Sequence, residues 1–285
     1  MRTLRETISD FKEAKQAIGH FNISDSNQLH AIAKASKETG LPVIIGLSEG
    51  EREFFPLSHA RALVDIYRAN GIEMFLNADH TYSIEKVQRA ISAGVDSVVV
   101  DGAKLSFEEN ILMLSACVKY AKASGRDVIM EGELGYIGQS SKPLDSLPEG
   151  VSLENLTTAD EAKKFVDLTG VDCFAPAIGN VHGMLKHAAE PKLHPERVKE
   201  IADAVGVPLV LHGASGNTEA EIKECIAVGI VIVHINTELR VAYRQGIEAS
   251  FKANPDEVAP YKFLSPAVEA MQAFVAGKLR VFAGQ

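Results

Sequence analysis

The feature that most constrains this chain is an alternation of short apolar runs with helical stretches, sustained over most of its length. Strand-like runs fall at residues 17–22, 42–48, 73–80, 97–101, 127–133, 172–179, 207–212 and 230–236. Between them the apolar period predicts helices at 26–40, 58–70, 83–93, 108–125, 158–170, 195–206 and 218–229, after a first helix at 3–15. Caps such as Asp25, Ser83 and Thr218 open these helices, and Gly40, Gly71 and Gly94 close them. Strand runs that are apolar rather than alternating suit a parallel sheet covered on its outer face by crossover helices. Eight such units predict an α/β fold, a single (β/α)8 barrel over residues 1–285, with 238–285 as a C-terminal helical extension packed outside it. A doubly wound open sheet is the alternative. No Gly-x-Gly-x-x-Gly follows an early strand, however, and polar residues gather at the C-terminal strand ends.

A barrel brings those ends to one mouth. His80, His182 and His212 each close a predicted strand, so they can face a common point although they are far apart in sequence. Three neutral imidazoles with a fourth position open are the ligand set of a catalytic zinc. Asp79, next to His80, puts a proton carrier beside a ligand; taken alone, the pair reads as a helix cap and a loop histidine. Asn22, Ser48, Asp101, Glu131, Glu133, His234 and Asn236 reach the same level. Each by itself reads as a cap or a barrel-end polar group, but together they outline a site. Gly213-Ala214-Ser215-Gly216 after the seventh strand and Asn236-Thr237 after the eighth lie where barrels bind phosphate through backbone N–H groups and a helix N-terminus. The other reading of those glycines is a tight strand-to-helix turn.

Charge and cysteines exclude several classes. The formal net charge of -9 and the absence of a basic cluster argue against nucleic acid and anionic membrane as partners. Cys117, Cys173 and Cys225 are odd in number, widely spaced and set in apolar contexts, which supplies neither a disulfide framework nor a Cys-x-x-Cys zinc site. The first residues lack an apolar leader, and no apolar run approaches the roughly 18 residues of a membrane span, so a cytoplasmic location is expected. The long tail after Glu238 suggests a homo-oligomer, a dimer or tetramer.

Several stretches, in this order, carry a family resemblance: Gly19-His20-Phe21-Asn22, Ala78-Asp79-His80, Ser97 to Gly102, Glu131-Gly132-Glu133-Leu134-Gly135, Gly179-Asn180-Val181-His182-Gly183, His212 to Gly216, and Asn236-Thr237-Glu238. The chain resembles, essentially end to end, the class II metal-dependent ketose-bisphosphate aldolases. The resemblance implies that His80, His182 and His212 hold zinc and that Asp79 carries a proton. It implies that Asp101 and Glu133 serve a second or resting metal position, and that a second metal or a monovalent cation can accompany the zinc. Gly183, Gly213, Ser215, Asn236 and Thr237 are then the phosphate cradle, with Asn22, Ser48 and His234 also toward the sugar. The implied reaction is reversible cleavage of a ketose 1,6-bisphosphate, fructose 1,6-bisphosphate first, to dihydroxyacetone phosphate and glyceraldehyde 3-phosphate. Tagatose 1,6-bisphosphate, a non-aldol metal barrel enzyme and a non-catalytic sugar-phosphate-binding homologue stay open as alternatives.

Three departures from the family pattern bear on that reading. After Gly135 many members carry an acid assigned to proton transfer at C3, whereas here the loop reads Tyr136-Ile137-Gly138-Gln139-Ser140-Ser141-Lys142-Pro143. Asp145, Glu149 or Glu154 could supply it; Glu149, or failing that Asp145, is expected to reach the mouth only with substrate bound, leaving loop 136–153 open or disordered otherwise. His234 stands where an asparagine is usual. Tyr261 takes the place of a phosphate-binding arginine, leaving Lys262 or another cation to serve.

Overall fold

The computed structural model describes residues 1–152, 154 and 156–285; Leu153, the far end of the expected mobile loop, lies outside the described residues. Eight strands form a closed barrel: β1 (Ile18–Asn22), β2 (Val43–Leu47), β3 (Met74–Thr81), β4 (Ser97–Val100), β5 (Ile129–Leu134), β6 (Cys173–Pro176), β7 (Leu209–Leu211) and β8 (Ile230–Ile235). Each pairs in parallel with its sequence neighbours, and β1 closes on β8 with His20 opposite His234. The fold is the predicted (β/α)8 barrel with extra C-terminal helices.

The strands carry two different sets of side chains. Those pointing outward, such as Phe21, Ile45, Leu76, Val98, Met130, Phe174, Leu211 and Val233, pack against the surrounding helices in one continuous core. Those pointing inward near the strand starts, Ile18, Ile44, Phe75, Ile129, Cys173, Val210 and Ile232, form a second core. The helix Leu4–Glu13 plugs that end with Leu4, Ile8 and Phe11. Its amphipathic spacing and a Thr3/Glu6 capping box explain why it forms there.

Some elements depart from expectation. The predicted strand 172–179 ends at Pro176, although the Ala177 N–H still donates to the Leu134 carbonyl (3.1 Å), and His182 sits on the loop that follows. A short helix, Glu49–Phe54, follows β2 and was not legible, because its only signals are the Ser48/Glu51 capping box and six residues of polar sequence. The expected open loop is instead pinned: Pro143–Leu144 pairs in parallel with Met184–Leu185. At the C-terminus, Ser265–Phe282 buries Met271, Val275, Leu279 and Phe282 against the barrel's outer core. The tail therefore covers its own chain.

Candidate active site

The upper half of the barrel interior is polar. His20, Asn22, Asn77, Asp79, Glu131, Glu133, His212 and His234 are all buried there. Consecutive residues of a regular strand point to opposite faces, yet Asp79 and His80 both face this interior. A register shift between Ala78 and Thr81 and a positive φ of 36° at His80 make that possible. Such a bulge costs backbone strain and re-aims a side chain. Arg52, from the helix Glu49–Phe54, holds the bulge by donating to the Asp79 carbonyl (3.1 Å) and to Thr81 Oγ1 (3.1 Å).

Three imidazoles meet at the mouth. Ring centroids lie 4.9 Å apart for His80 and His182, 5.2 Å for His80 and His212, and 5.8 Å for His182 and His212. One nitrogen of each ring is held by an acceptor behind it: His80 Nδ1 by Asp101 (2.9 Å), His182 Nδ1 by the Gly138 carbonyl (2.7 Å) and His212 Nε2 by Glu131 (2.7 Å). That leaves one nitrogen per ring for a shared ligand, and one donor atom from each of the three residues falls within 4.8 Å of the others. His212 Nδ1 is buried with no hydrogen-bond partner, as is Glu133 Oε2 3.7 Å from it. Imidazoles fixed from behind and unsatisfied in front fit a tetrahedral divalent ion. Asp101 and Glu133 also group with His80 within 4.8 Å, so a second arrangement of donors overlaps the first.

Charge points the same way. Although burial opposes ionisation, Asp79, Asp101 and Glu133 together raise His80 to about 10. Burial lowers His182 to about 4, helped by the charge of His80, and burial holds His212 and His234 well below their usual range. Burial also pushes Glu131 up to about 8. Against the cost of burial, the charge of His80 holds the Asp79 carboxyl below the usual carboxylate range. A single proton on His80 thus balances a site rich in carboxylates, where a metal cation would do so more completely.

Asp79 accepts from Asn22 (2.8 Å) and lies 3.7 Å from His234 Nδ1. His234 stacks between His212 (4.0 Å) and His20 (3.5 Å). Gly46 makes room for this column, since a Cβ there would sit 2.1 Å from the His20 ring.

Gly183, Gly213, Ser215, Asn236 and Thr237 line one recess with Asn22, Asp79, His80, His182 and His234. Gly213 has φ 59°, and a Cβ on it would meet the Val181 carbonyl at 2.5 Å, so no other residue fits this close approach. The helix Thr237–Ala253 opens here with no cap from the Asn236 side chain, and the Glu238 N–H of its first turn reaches the Ser215 hydroxyl at 3.4 Å. Free N–H groups at a helix start favour an anion. The recess widens into a cavity of about 270 Å³ lined by Ser48, Glu49, Tyr82, Gln139, Ser141 and Arg240.

Other expected residues lie elsewhere or are already committed. The Ser48 hydroxyl donates to Glu51 (2.8 Å) as part of the capping box, although Ser48 still lines the outer cavity. Asp145 pairs with Lys186 (2.9 Å) on the surface, and Glu149 lines a separate outer cavity with Lys104 and Tyr136. Tyr261 is 77% exposed, Lys262 pairs with Glu257 (3.2 Å), and neither lines the recess or the outer cavity. The sequence reading missed Gln139, Ser141 and Arg240 at the mouth and Glu51 and Arg52 behind it. Only the Ser48-x-x-Glu51 spacing could have signalled the last two.

A parallel barrel with imidazoles, carboxylates and a helix start converging at its C-terminal mouth is the architecture of a barrel enzyme. The family model described as "Fructose-bisphosphate aldolase class-II" matches residues 2–285. Fructose-bisphosphate aldolases of Geobacillus stearothermophilus and Staphylococcus epidermidis are 34% and 35% identical, each over 98% of this chain and 96% of the relative. The crystal structure of the YdjI aldolase from Escherichia coli K12 superposes with a TM-score of 0.82 at 30% identity, covering 98% of this chain and 96% of that one. The chain belongs to the class II fructose-bisphosphate aldolase family and is an aldolase, an aldehyde-lyase. That family is metal-dependent. Among the described residues, no helix is long and apolar enough to cross a membrane.

Proposed function

We propose that the protein is a zinc-dependent aldolase that reversibly cleaves a ketose 1,6-bisphosphate, fructose 1,6-bisphosphate first, to dihydroxyacetone phosphate and glyceraldehyde 3-phosphate. The observation that carries this is the trio His80, His182 and His212, each fixed from behind by an acceptor and leaving one nitrogen for a common ligand. Zinc held there supplies a Lewis acid for the electrons left on C3 when the C3–C4 bond breaks. The chain's own residues do the rest. Asp79, ionised and oriented by Asn22, takes the C4 hydroxyl proton in cleavage and returns it to the aldehyde oxygen in condensation. Gly183, Gly213, Ser215, Asn236 and Thr237 bind the phosphate nearest the carbonyl through N–H and hydroxyl donors. His234 from the recess and Ser48 from the outer cavity contact the sugar, and Asp101 with Glu133 offers a resting position for the cation.

Tagatose 1,6-bisphosphate differs from the fructose ester at C4, the position Asp79 serves, and is the second substrate to test. The same reading makes the protein a cytoplasmic homo-oligomer, dimer or tetramer, acting on a small sugar phosphate rather than on nucleic acid or membrane. Metal analysis with coupled cleavage assays on both sugars tests it. Stoichiometric zinc and turnover of at least one bisphosphate are expected. Bound metal without cleavage of either sugar would favour a binding homologue or a non-aldol reaction.

A further inference from the structure

The helix Glu49–Phe54 grips Asp79 from two sides. Arg52 holds its backbone carbonyl, as described above, and Glu51 reaches its carboxylate through Asn22. Glu51 is buried, and its Oε2 accepts from Asn22 Nδ2 at 2.9 Å, while the same amide donates to Asp79 Oδ2 at 2.8 Å. The other oxygen of Glu51 accepts from Arg240 Nη2 at 2.5 Å, and Arg240 Nη1 donates to the Ser141 carbonyl at 2.9 Å. An unbroken chain therefore runs from the loop at the mouth to the proton carrier: Ser141, Arg240, Glu51, Asn22, Asp79. The last member is well placed to feel it, because Asp79 Oδ1 has no hydrogen-bond partner and Asn22 supplies the donor that fixes the carboxylate's rotation.

We infer that Glu51 is a positioning residue that ties the Gln139–Ser141 loop to the Asp79 carboxylate, so that docking of the loop and alignment of the base occur together. The inference rests on the proposed role of Asp79. Glu51 also caps its own helix through Ser48, which by itself gives the residue a purely structural purpose. The two purposes separate chemically. A capping box accepts Gln as readily as Glu, but a Gln whose oxygen stays on the cap turns its amide N–H groups, donors themselves, toward the Arg240 guanidinium.

Glu51→Gln therefore keeps the cap and cuts the link. With zinc content and melting temperature at the parent values, kcat for cleavage should fall about 10- to 100-fold, as for small misalignment of a catalytic group. KM should change little. Exchange of the C3 hydrogen of dihydroxyacetone phosphate with solvent does not use Asp79, so it should remain near the parent rate. Arg240→Met should reproduce this pattern, and the double variant should be no slower than Glu51→Gln alone. Equal loss of cleavage and exchange, or effects that multiply in the double variant, would overturn the inference; if Glu51→Gln fails to fold, the Arg240→Met pattern decides. Asp79→Ala separates the two levels of argument. If it leaves cleavage intact, the proposed base is wrong; if it abolishes cleavage while Glu51→Gln does not lower it, only the coupling is wrong.

Discussion

Along β1 the inward side chains run Ile18, His20, Asn22; along β3 they run Phe75, Asn77, Asp79; along β5, Ile129, Glu131, Glu133. The same strands thus line an apolar lower half, sealed by Leu4, Ile8 and Phe11, and a polar upper half open to the mouth. Among the described residues, the lower half carries no buried polar side chain in need of a partner. The upper half holds several that lack one: His20 Nδ1, Asp79 Oδ1, Glu133 Oε2, His212 Nδ1 and Asn236 Oδ1. Leaving such a group unsatisfied typically costs about 1–3 kcal/mol, so this half is unstable on its own terms and calls for a ligand. The difference teaches a division of labour within one set of strands. The first inward residue of each strand holds the barrel together, and the next ones do chemistry at that barrel's expense.

The largest way to break the comparison is to remove the metal. Chelation should lower cleavage at least about a thousandfold and be reversed by added zinc, because a Lewis acid contributes several kcal/mol to such a transition state. The apolar half should keep the barrel folded, as far-ultraviolet circular dichroism would show. Full activity in a protein shown to be free of metal would remove the central assignment. Next in size, Asp79→Ala should reduce turnover by about 10²- to 10⁴-fold while zinc content and fold persist. A cleavage rate within a few-fold of the parent would remove Asp79 from its role.

A substitution in the lower half should do the reverse. Phe75→Ala empties a fully buried position in the plug core and should cost about 3–5 kcal/mol of stability. Denaturant unfolding measures this, and kcat at a temperature where the variant stays folded should be nearly unchanged. If Phe75→Ala and Asp79→Ala each reduced stability and turnover alike, the two halves would be one cooperative unit.

The sequence made the barrel legible because the outward and lower inward residues are both apolar, so each strand reads as a short continuous run. It also made the histidines legible, since closing a barrel forces strand ends together whatever their separation in the chain. What stayed hidden depends on geometry that no period encodes. The bulge that lets Asp79 and His80 share a face arises from a backbone angle at His80, which a β-propensity reading does not anticipate. Arg240 reaches the mouth from a helix otherwise read as outer packing, and its partner Glu51 lies 189 residues away. The loop from Tyr136 looked mobile from its serines and prolines. Yet Ile137 is buried and the Gly138 carbonyl holds His182, so part of it is structural.

The smallest predicted effect tests the charge balance of the upper half. Zinc binds neutral imidazole, and His80 is raised to about 10 by its carboxylate neighbours, so at pH 7 the His80 proton must leave as the metal enters, and Glu131, raised to about 8 behind His212, holds a further proton that the cation can displace. His182, lowered to about 4, is already neutral at that pH and releases none. Apparent zinc affinity should therefore rise at least about tenfold per pH unit across neutrality and level off near pH 10. The metal-free protein should show the linked effect on stability. A histidine whose folded pKa lies above its unfolded value stabilises the fold fully below the unfolded value of 6.5, and that contribution is lost as pH rises through about 10. Glu131, raised from 4.5 to about 8, adds to the loss over a lower range, while the metal-loaded protein lacks the His80 part. Calorimetric titration of zinc at pH 7, in buffers of different ionisation enthalpy, counts the proton directly. A count of one or more supports a site whose resting charge balance rests on His80, whereas a count near zero would mean that its carboxylates are already neutralised without it.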